Sequence, residues 1–269
     1  MNDVRLHGPD LADAIARNFG ESAAHLHRAT PGASLLGEDG LVIADSGGED
    51  PAFNSVTMIR LTPSTADQRI KAAVEAVLAT GREFSWWADA HSTPADLLAR
   101  LQDAGLGLVE PVPTMCLDLA AAPRSPRDRS DLEIRRVSTP EQLAHFADVI
   151  DASMDPPVSS AREFYARAAT AALDPAGPAR FLVGYLDGAP VATAEVLFAA
   201  GVAGLYNITT LPDHRRQGRG SALTLAGLDL ARAEGYATAV LESSPMGESV
   251  YRALGFRTCG EFSMLMLGV

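Results

Sequence analysis

The chain has 269 residues, 47% of them apolar, which allows a sizeable core and, at ~100–200 residues per unit, suggests two of them. A formal charge of −12 argues against a nucleic-acid surface and favours basic or neutral small molecules as partners. The start lacks a basic segment leading into an apolar one, and no run approaches the ~18 apolar residues that span a bilayer, so a cytoplasmic, non-membrane protein is expected. Cys116 and Cys259 are too few for a disulfide framework and read as buried small apolar residues. Among the histidines only His25-x-His27 is closely spaced; it reads as a helix surface, and no metal is expected.

In chain order, residues 56–63 read as a strand ending at Pro63, Thr65-x-x-Gln68 opens a helix to Thr80, and 84–88 is a strand. Trp86 and Trp87 are neighbours in that strand and face opposite sides, so one belongs to the core and the other is a candidate wall of a cleft. Thr93-Pro94-Ala95-Asp96 opens a helix that ends at Gly105. A polar, proline-bearing linker at 123–131 then separates residues 1–122 from 132–269.

Beyond the linker, 132–137 alternates like a strand, and Thr139-Pro140-Glu141-Gln142 starts a helix to about Ser153. Ser160-x-x-Glu163 reads as the capping box of a second helix. Strands follow at 180–186 and 190–197 around Asp187-Gly188, and a third at 202–211. A helix over 221–234 stops at Gly235; a strand at 237–241, a helix at 248–254 and a strand or bent strand pair at 257–267 complete the chain.

The halves repeat. Residues 56–63 can be laid on 206–212, and Pro63 to Gly105 spans 42 residues where Pro212 to Gly255 spans 43. They differ after the proline. Ser64-Thr65-Ala66-Asp67-Gln68-Arg69 has no glycine and puts an acid where an anion would need space, so the first half is expected to bind no phosphate there and to wall a substrate cleft. Residues 1–125 also carry the larger acidic excess, 9 Lys/Arg against 17 Asp/Glu, with 13 against 17 in the remainder.

In the second half the same place reads Arg215-Arg216-Gln217-Gly218-Arg219-Gly220-Ser221, between a strand and a helix. Two glycines allow close backbone approach, and the helix start offers N–H groups to anionic oxygen. A nucleoside-triphosphate loop would need a lysine after its last glycine, and the sole lysine is Lys71. A dinucleotide fingerprint would need a third glycine where Leu223 stands, although Glu242 is suitably placed for a ribose-binding acid.

Residues 215–220 match the Arg/Gln-x-x-Gly-x-Gly/Ala loop of the GNAT superfamily of acyl-CoA-dependent N-acetyltransferases, and residues 208–212 resemble the strand before it. Ser244 to Phe256, ending Tyr251-x-x-x-Gly255-Phe256, resembles a second signature at the usual distance. The resemblance implies an α/β (α+β) fold of two tandem GNAT-like domains, each a mixed, mostly antiparallel twisted sheet flanked by helices. The first is degenerate and lacks the CoA loop. It further implies acetyl-CoA as cosubstrate, with backbone groups of Ile208, Thr209 and Thr210 along its pantetheine arm and the N–H groups of residues 216–221 on its pyrophosphate. Ser244 stands where many relatives have an Asn that contacts CoA, and the substitution leaves that contact open.

The implied activity is transfer of an acetyl group to a primary amine of a small molecule or peptide by direct attack in a ternary complex. The alternative is a non-catalytic acyl-CoA sensor. Tyr251 is the candidate general acid, since a phenol is protonated at neutral pH. The base is Glu242, at the end of a strand, or Glu195, in the hairpin, either acting through a water. Neither the charge nor the loop selects the acceptor; an acidic cleft would suit a cationic amine. Two halves in one chain could mimic a dimer, so a monomer or a homodimer is expected, and the arginine-rich, nearly lysine-free composition fits a bacterial genome.

Overall fold

A computed structural model describes residues 8–38, 40–124 and 131–268. Most of the expected linker lies outside them. The described strands form one eleven-stranded sheet. The first half contributes helix α1 (Gly8–Ala24), strands β1 (Ser34–Glu38), β2 (Leu41–Asp45) and β3 (Ser55–Thr57), helix α2 (Ala66–Thr80), strand β4 (Ser85–Ala88), helix α3 (Leu97–Asp103) and strand β5 (Leu106–Asp118). The second contributes β6 (Glu133–Arg136), α4 (Pro140–Ser153), α5 (Ser160–Ala172), β7 (Ala179–Leu186), β8 (Ala189–Ala199), β9 (Val202–Thr210), α6 (Arg219–Ala233), β10 (Thr238–Glu242), α7 (Glu248–Ala253) and β11 (Arg257–Leu267). The order expected for the second half is therefore observed, and β11 is one long strand with two register shifts.

The strand order β1-β2-β3-β4-β11-β5-β10-β9-β8-β7-β6 shows an exchange between the halves. Strand β5 leaves the first half to pair antiparallel with β10, while β11 leaves the second to pair with β4. The two exchanged strands then pair with each other from Arg257–Cys116 to Leu267–Leu106. Leu265 of β11 is fully buried in the first half's core beside Val56, Ile59, Ile70, Trp86 and Leu101. Met115 and Leu117 of β5 join Leu205, Leu228, Ala239 and Phe256 in the second half's core.

The repeat holds in backbone detail. Strand β3 pairs parallel with β4 through Ser55–Ser85 and Val56–Trp86, as β9 pairs with β10 through Ala203–Ala239 and Gly204–Val240. Met58 and Asn207 each lie five residues before the landmark proline, and both take positive φ, 55° and 48°. Such values are uncommon for side-chain-bearing residues and mark a sharp deflection of the strand. In the first half the deflection ends β3 after three residues, so the strand expected over 56–63 is much shorter and continues only as an isolated Arg60–Thr93 bridge.

Capping explains both helices that follow β6. Thr139 Oγ1 accepts from Gln142 N–H at 3.2 Å, as expected for α4. Helix α5 departs from expectation. Its first N–H groups, at Ala161 and Arg162, donate to the Asp151 carboxylate at 2.9 Å each, while Ser160 Oγ donates to Asp50. An acid on α4 thus caps α5 and ties the two helices together, where the local Ser-x-x-Glu spacing suggested a box closed within the helix.

Helix α1 docks on the second half. Fully buried Asn18 donates to the carbonyls of Ala199 (3.0 Å) and Val202 (3.2 Å) and accepts from Tyr206 Oη at 2.7 Å. Gly204 makes room for this: a Cβ there would lie 2.1 Å from Asn18 Oδ1 and 2.5 Å from Tyr206 Cε2.

Candidate active site

The bulge at Asn207 sets the site. Glu195 pairs with Tyr206 and Thr193 with Thr209, so Asn207 and Ile208 together oppose Ala194. Thr193 Oγ1 donates to the Asn207 carbonyl at 2.8 Å and holds the deflected strand. Because β9 and β10 pair only through residues 203–204 and 239–240, the following stretch with Ile208, Thr209 and Thr210 has no strand partner on the β10 side. An extended polar chain can hydrogen-bond to such an edge.

That edge leads into the phosphate loop. Pro212–His214 forms a single 3-10 turn, Arg216 takes φ 62°, and Gly218 takes φ 75° immediately before α6. Gly220 lies in the first turn of α6; a Cβ there would meet only Thr210 Oγ1, at 3.7 Å. The place is an open cradle floored by a helix start, where N–H groups lack intrahelical acceptors.

The arginines divide their work. Arg215 donates to the carbonyls of Thr210 (3.0 Å) and Ser153 (3.1 Å), so it braces the loop against the end of α4. Arg216 and Gln217 are exposed, and Gln217 accepts from Arg219 at 2.8 Å. Arg219 is 7% exposed, with Nε and Nη1 buried and without partners. Buried guanidinium donors left open beside a helix start suit an anion, so these residues fit a pyrophosphate. Ser221 follows in the same turn.

The corresponding place in the first half is closed. The Thr62 carbonyl accepts from Thr65 and Ala66 at 3.1 and 3.0 Å, and Asp67 pairs with Arg100 at 2.6 Å.

The candidate acid and bases lie on three different elements, Tyr251 on α7, Glu242 on β10 and Glu195 on β8. Tyr251 packs edge-on to Phe256 at 5.9 Å, and its ring passes so close to Gly247 that a Cβ there would lie 2.8 Å away. Burial pushes its phenol up to about 12, which keeps it protonated at neutral pH. Ser244 Oγ accepts from Gly247 N–H at 3.3 Å and shapes this turn. Glu242 is opposite Thr114 at the end of β10; burial pushes its carboxyl up to about 8, and Oε1 is buried without a partner.

Glu195 lines a cavity of about 550 Å³ between the halves, within the roughly 300–1,000 Å³ typical of small-molecule sites. Its Oε2 accepts from Asn207 Nδ2 at 2.8 Å and lies 3.5 Å from the Tyr165 hydroxyl. Its Oε1 lies 3.8 Å from Nε2 of His25, in the segment that follows α1, and both side chains are about 95% buried. Burial raises the Glu195 carboxyl above its ordinary value, while His25, Asn207 and Tyr165 hold it down.

The His25 proton can be placed from its neighbours. Nδ1 is 3.2 and 3.3 Å from the carbonyls of Glu21 and Ser22, which only accept, so Nδ1 carries the hydrogen. Nε2 then faces Glu195 Oε1 at 3.8 Å, beyond hydrogen-bond distance, and is buried without a partner. This pair departs from the sequence expectation: His25 and His27 are not on a helix surface. His27 is buried, donates from Nε2 to the Phe53 carbonyl at 2.8 Å, and is held neutral by burial, which lowers its pKa. Of the adjacent tryptophans, Trp86 is in the core and Trp87 lines the cavity.

A bulged strand with a free edge, an anion cradle at a helix start and a carboxylate-bearing cavity are parts that acyl transfer from coenzyme A requires. Residues 146–256 match the sequence profile of the Acetyltransferase (GNAT) family, so the second half carries a GNAT domain. A GCN5-related N-acetyltransferase from Kribbella flavida has the same fold, with a TM-score of 0.72 over 98% of this chain and 97% of its own at 19% identity. A tandem GNAT protein from the clavulanic acid biosynthesis pathway gives 0.62 over 96% and 93% at 15% identity. A GCN5-related N-acetyltransferase from Sphaerobacter thermophilus gives 0.58 over 96% and 91% at 15%. No curated protein sequence matches this chain. The fold is thus a tandem GNAT arrangement, and the family's chemistry is acyl transfer from acyl-CoA. Among the described residues no helix is long and apolar enough to cross a membrane, and no group of three or more His, Cys, Asp or Glu is placed to hold a metal ion.

Proposed function

We propose that the protein transfers an acetyl group from acetyl-CoA to a primary amine of a small molecule, by direct attack within a ternary complex. The observation that carries this reading is the cavity ending on Glu195, one strand away from the bulged strand that runs into the phosphate cradle. Residues 132–269 would hold the cofactor, with the N–H groups of residues 216–221 and Arg219 on its pyrophosphate and Ile208–Thr210 along its arm. Residues 1–122 would complete the acceptor site.

Acetyl-CoA supplies an acyl group on a thioester that leaves as a thiolate. Glu195 takes a proton from the incoming ammonium at Oε1, and Asn207, bonded to Oε2, keeps Oε1 turned to the cavity and to His25. The neutral amine then forms the new C–N bond as the C–S bond breaks, with a backbone N–H near Thr210 facing the developing oxyanion. Tyr251 donates its phenolic proton to the thiolate, and the second proton that the nitrogen must lose to become an amide passes through water and restores the phenol. Glu242 is the less suitable base, because a carboxyl held near 8 keeps its proton at neutral pH and Glu242 is not part of the cavity wall.

Calorimetry with acetyl-CoA tests the reading on the wild-type protein and on Gly220→Glu, whose Cβ would meet only Thr210 Oγ1, at 3.7 Å, and which adds a negative charge at the anion cradle. Wild-type binding that weakens about a hundredfold or more in a still-folded variant supports the cofactor site. No wild-type binding would overturn both the transferase and the acyl-CoA sensor; binding without thiol release on any amine would leave the sensor.

A further inference from the structure

We propose that the cavity between the halves binds, as the acceptor, a small aliphatic diamine or polyamine, with one ammonium group at Glu195 and a second at Asp50 and Asp151. The inference rests on the transferase reading above and deepens it.

The charge of the walls is one-sided. Glu195, Asp50 and Asp151 all line the cavity, and among its described lining residues there is no arginine or lysine. Asp151 accepts the two N–H groups that open α5, and Asp50 accepts from Ala52 N–H (2.8 Å) and Ser160 Oγ. These donors are neutral and leave the charge of both carboxylates in place. Even a protonated His25 would leave the acids in excess. A second hollow of about 540 Å³ shares Asp50, Ser160 and Phe164 with this cavity, and among its described lining residues Glu49, Asp50 and Glu163 outnumber the one cation, Arg167. Carboxylates held in a cavity without cations are costly, and a ligand with positive charge at both ends offsets that cost.

The carboxylates fall into two groups. Asp50 and Asp151 meet at the start of α5, on the adjacent residues Ser160 and Ala161. Burial raises the Asp151 carboxyl above its ordinary value and the Asp50 charge adds to the rise, a repulsion that an ammonium beside them would relieve. Glu195 lies at the hydroxyl of Tyr165, a residue about one turn of α5 beyond Ala161. The remaining walls are largely apolar, with Phe53 stacked on Phe164 at 4.7 Å and Phe19 packed on Trp87 at 4.9 Å, and they suit the methylene chain that joins two ammonium groups.

The unpartnered polar atoms agree with this. His27 donates from Nε2 to the Phe53 carbonyl and is held neutral, so its buried, unpartnered Nδ1 bears a lone pair. Nε2 of neutral His25 is a second buried acceptor without a partner, 3.8 Å from Glu195 Oε1. Both rings are on the cavity wall. Acceptors without donors call for a ligand that brings N–H groups, and an ammonium brings three. The ammonium at Glu195 is the one that loses its protons and gains the acetyl group by the steps given above; the second keeps its charge throughout. The same walls would repel an acceptor that carries a carboxylate, which disfavours free amino acids.

Calorimetry on the full chain, with and without coenzyme A, tests this with putrescine, cadaverine and spermidine. The comparisons are butylamine and pentylamine, which match the two diamines in length but lack the second charge, and lysine, which is cadaverine with a carboxylate added. Thiol release from acetyl-CoA is measured in parallel with each amine. The best of the three polycations should bind at least about tenfold tighter than either monoamine, and lysine at least about tenfold more weakly than cadaverine. Asp50→Asn, checked for folding by its thermal unfolding midpoint, should weaken polycation binding about tenfold or more and leave the monoamines unchanged. The proposal is overturned by monoamines that bind as tightly as the polycations, by lysine that binds as tightly as cadaverine, by no binding of any amine, or by a full polycation preference retained in a folded Asp50→Asn. The wild-type comparison decides even where the variant does not fold. Polycation binding with the expected preference but no thiol release supports the ligand class and overturns the transferase reading; thiol release with monoamines alone does the reverse.

Discussion

His25 and Glu195 are 170 positions apart in the chain and come from opposite halves, yet Nε2 and Oε1 meet at 3.8 Å in a buried site. Helix α1 delivers His25, because Asn18 one face-repeat earlier is fixed to the carbonyls at the β8–β9 turn. The half without a phosphate cradle thus supplies a titratable neighbour to the candidate base.

The pH profile should report this pair. Glu195 works as a base only when ionised, so kcat/KM should fall as pH drops through its raised value. His25 lowers that value, and its removal in His25→Gln should move the acidic limb to higher pH while activity on the alkaline side of the limb is retained. Glu195→Gln should lose about 10²–10⁴ in kcat across the whole range. An acidic limb that stays in place in His25→Gln would show that the histidine does not act on Glu195.

Glu242 should appear in stability instead. Its folded-state value of about 8 lies above its ordinary 4.5, so between these pH values the folded chain holds a proton that the unfolded chain has released. The stabilisation from that proton is fully present below about pH 4.5 and is lost as pH rises through 8. A tenfold change in proton affinity is worth about 1.4 kcal/mol, and with the carboxylate free to relax toward solvent the expected loss is a few kcal/mol. Urea unfolding at pH 5 and pH 8 should show this decline in the wild type and a flatter response in Glu242→Gln, which should also cost far less activity at pH 7 than Glu195→Gln.

What the sequence made legible is what local chemistry encodes. The strand, proline, two-glycine loop and helix at 206–223 can be read because each step has a fixed local requirement, and the repeat shows because Pro63 and Pro212 punctuate both halves at the same offsets. The exchange of β5 and β11 could not be read, since the pairing of Cys116 with Arg257 depends on partners far along the chain. Asp151 was hidden for the same reason: it caps a helix that starts nine residues later, past the turn at 154–159. His25 left one usable trace. Leu11, Ile15, Asn18, Ser22 and His25 follow helical spacing, and polar residues within such a stripe indicate a buried face with hydrogen-bonding duties.

Gly204→Ala should loosen the docking of α1. The new Cβ would overlap both Asn18 Oδ1 and Tyr206, neither of which can withdraw without breaking the bonds that seat the helix. Overpacking of this kind costs about 1–3 kcal/mol. Thermal unfolding should give the size, and hydrogen exchange should show the loss of protection concentrated in residues 11–24. Uniform loss over the whole sheet would instead mean that α1 is not the weak point.

Ending the chain at Phe256 should damage the first half more than the second. Without β11, the β4 edge at Trp86–Ala88 and the long β5 edge are both unpaired, and the first half's core loses Leu265. Two adjacent open edges invite intermolecular pairing, so the shortened chain should aggregate at concentrations where the full chain does not. Adding residues 257–269 back as a separate peptide should restore part of the lost Trp86 burial, read by fluorescence. A truncated chain with unaltered stability and unaltered tryptophan emission would mean that the exchanged strand is not needed to hold the first half together.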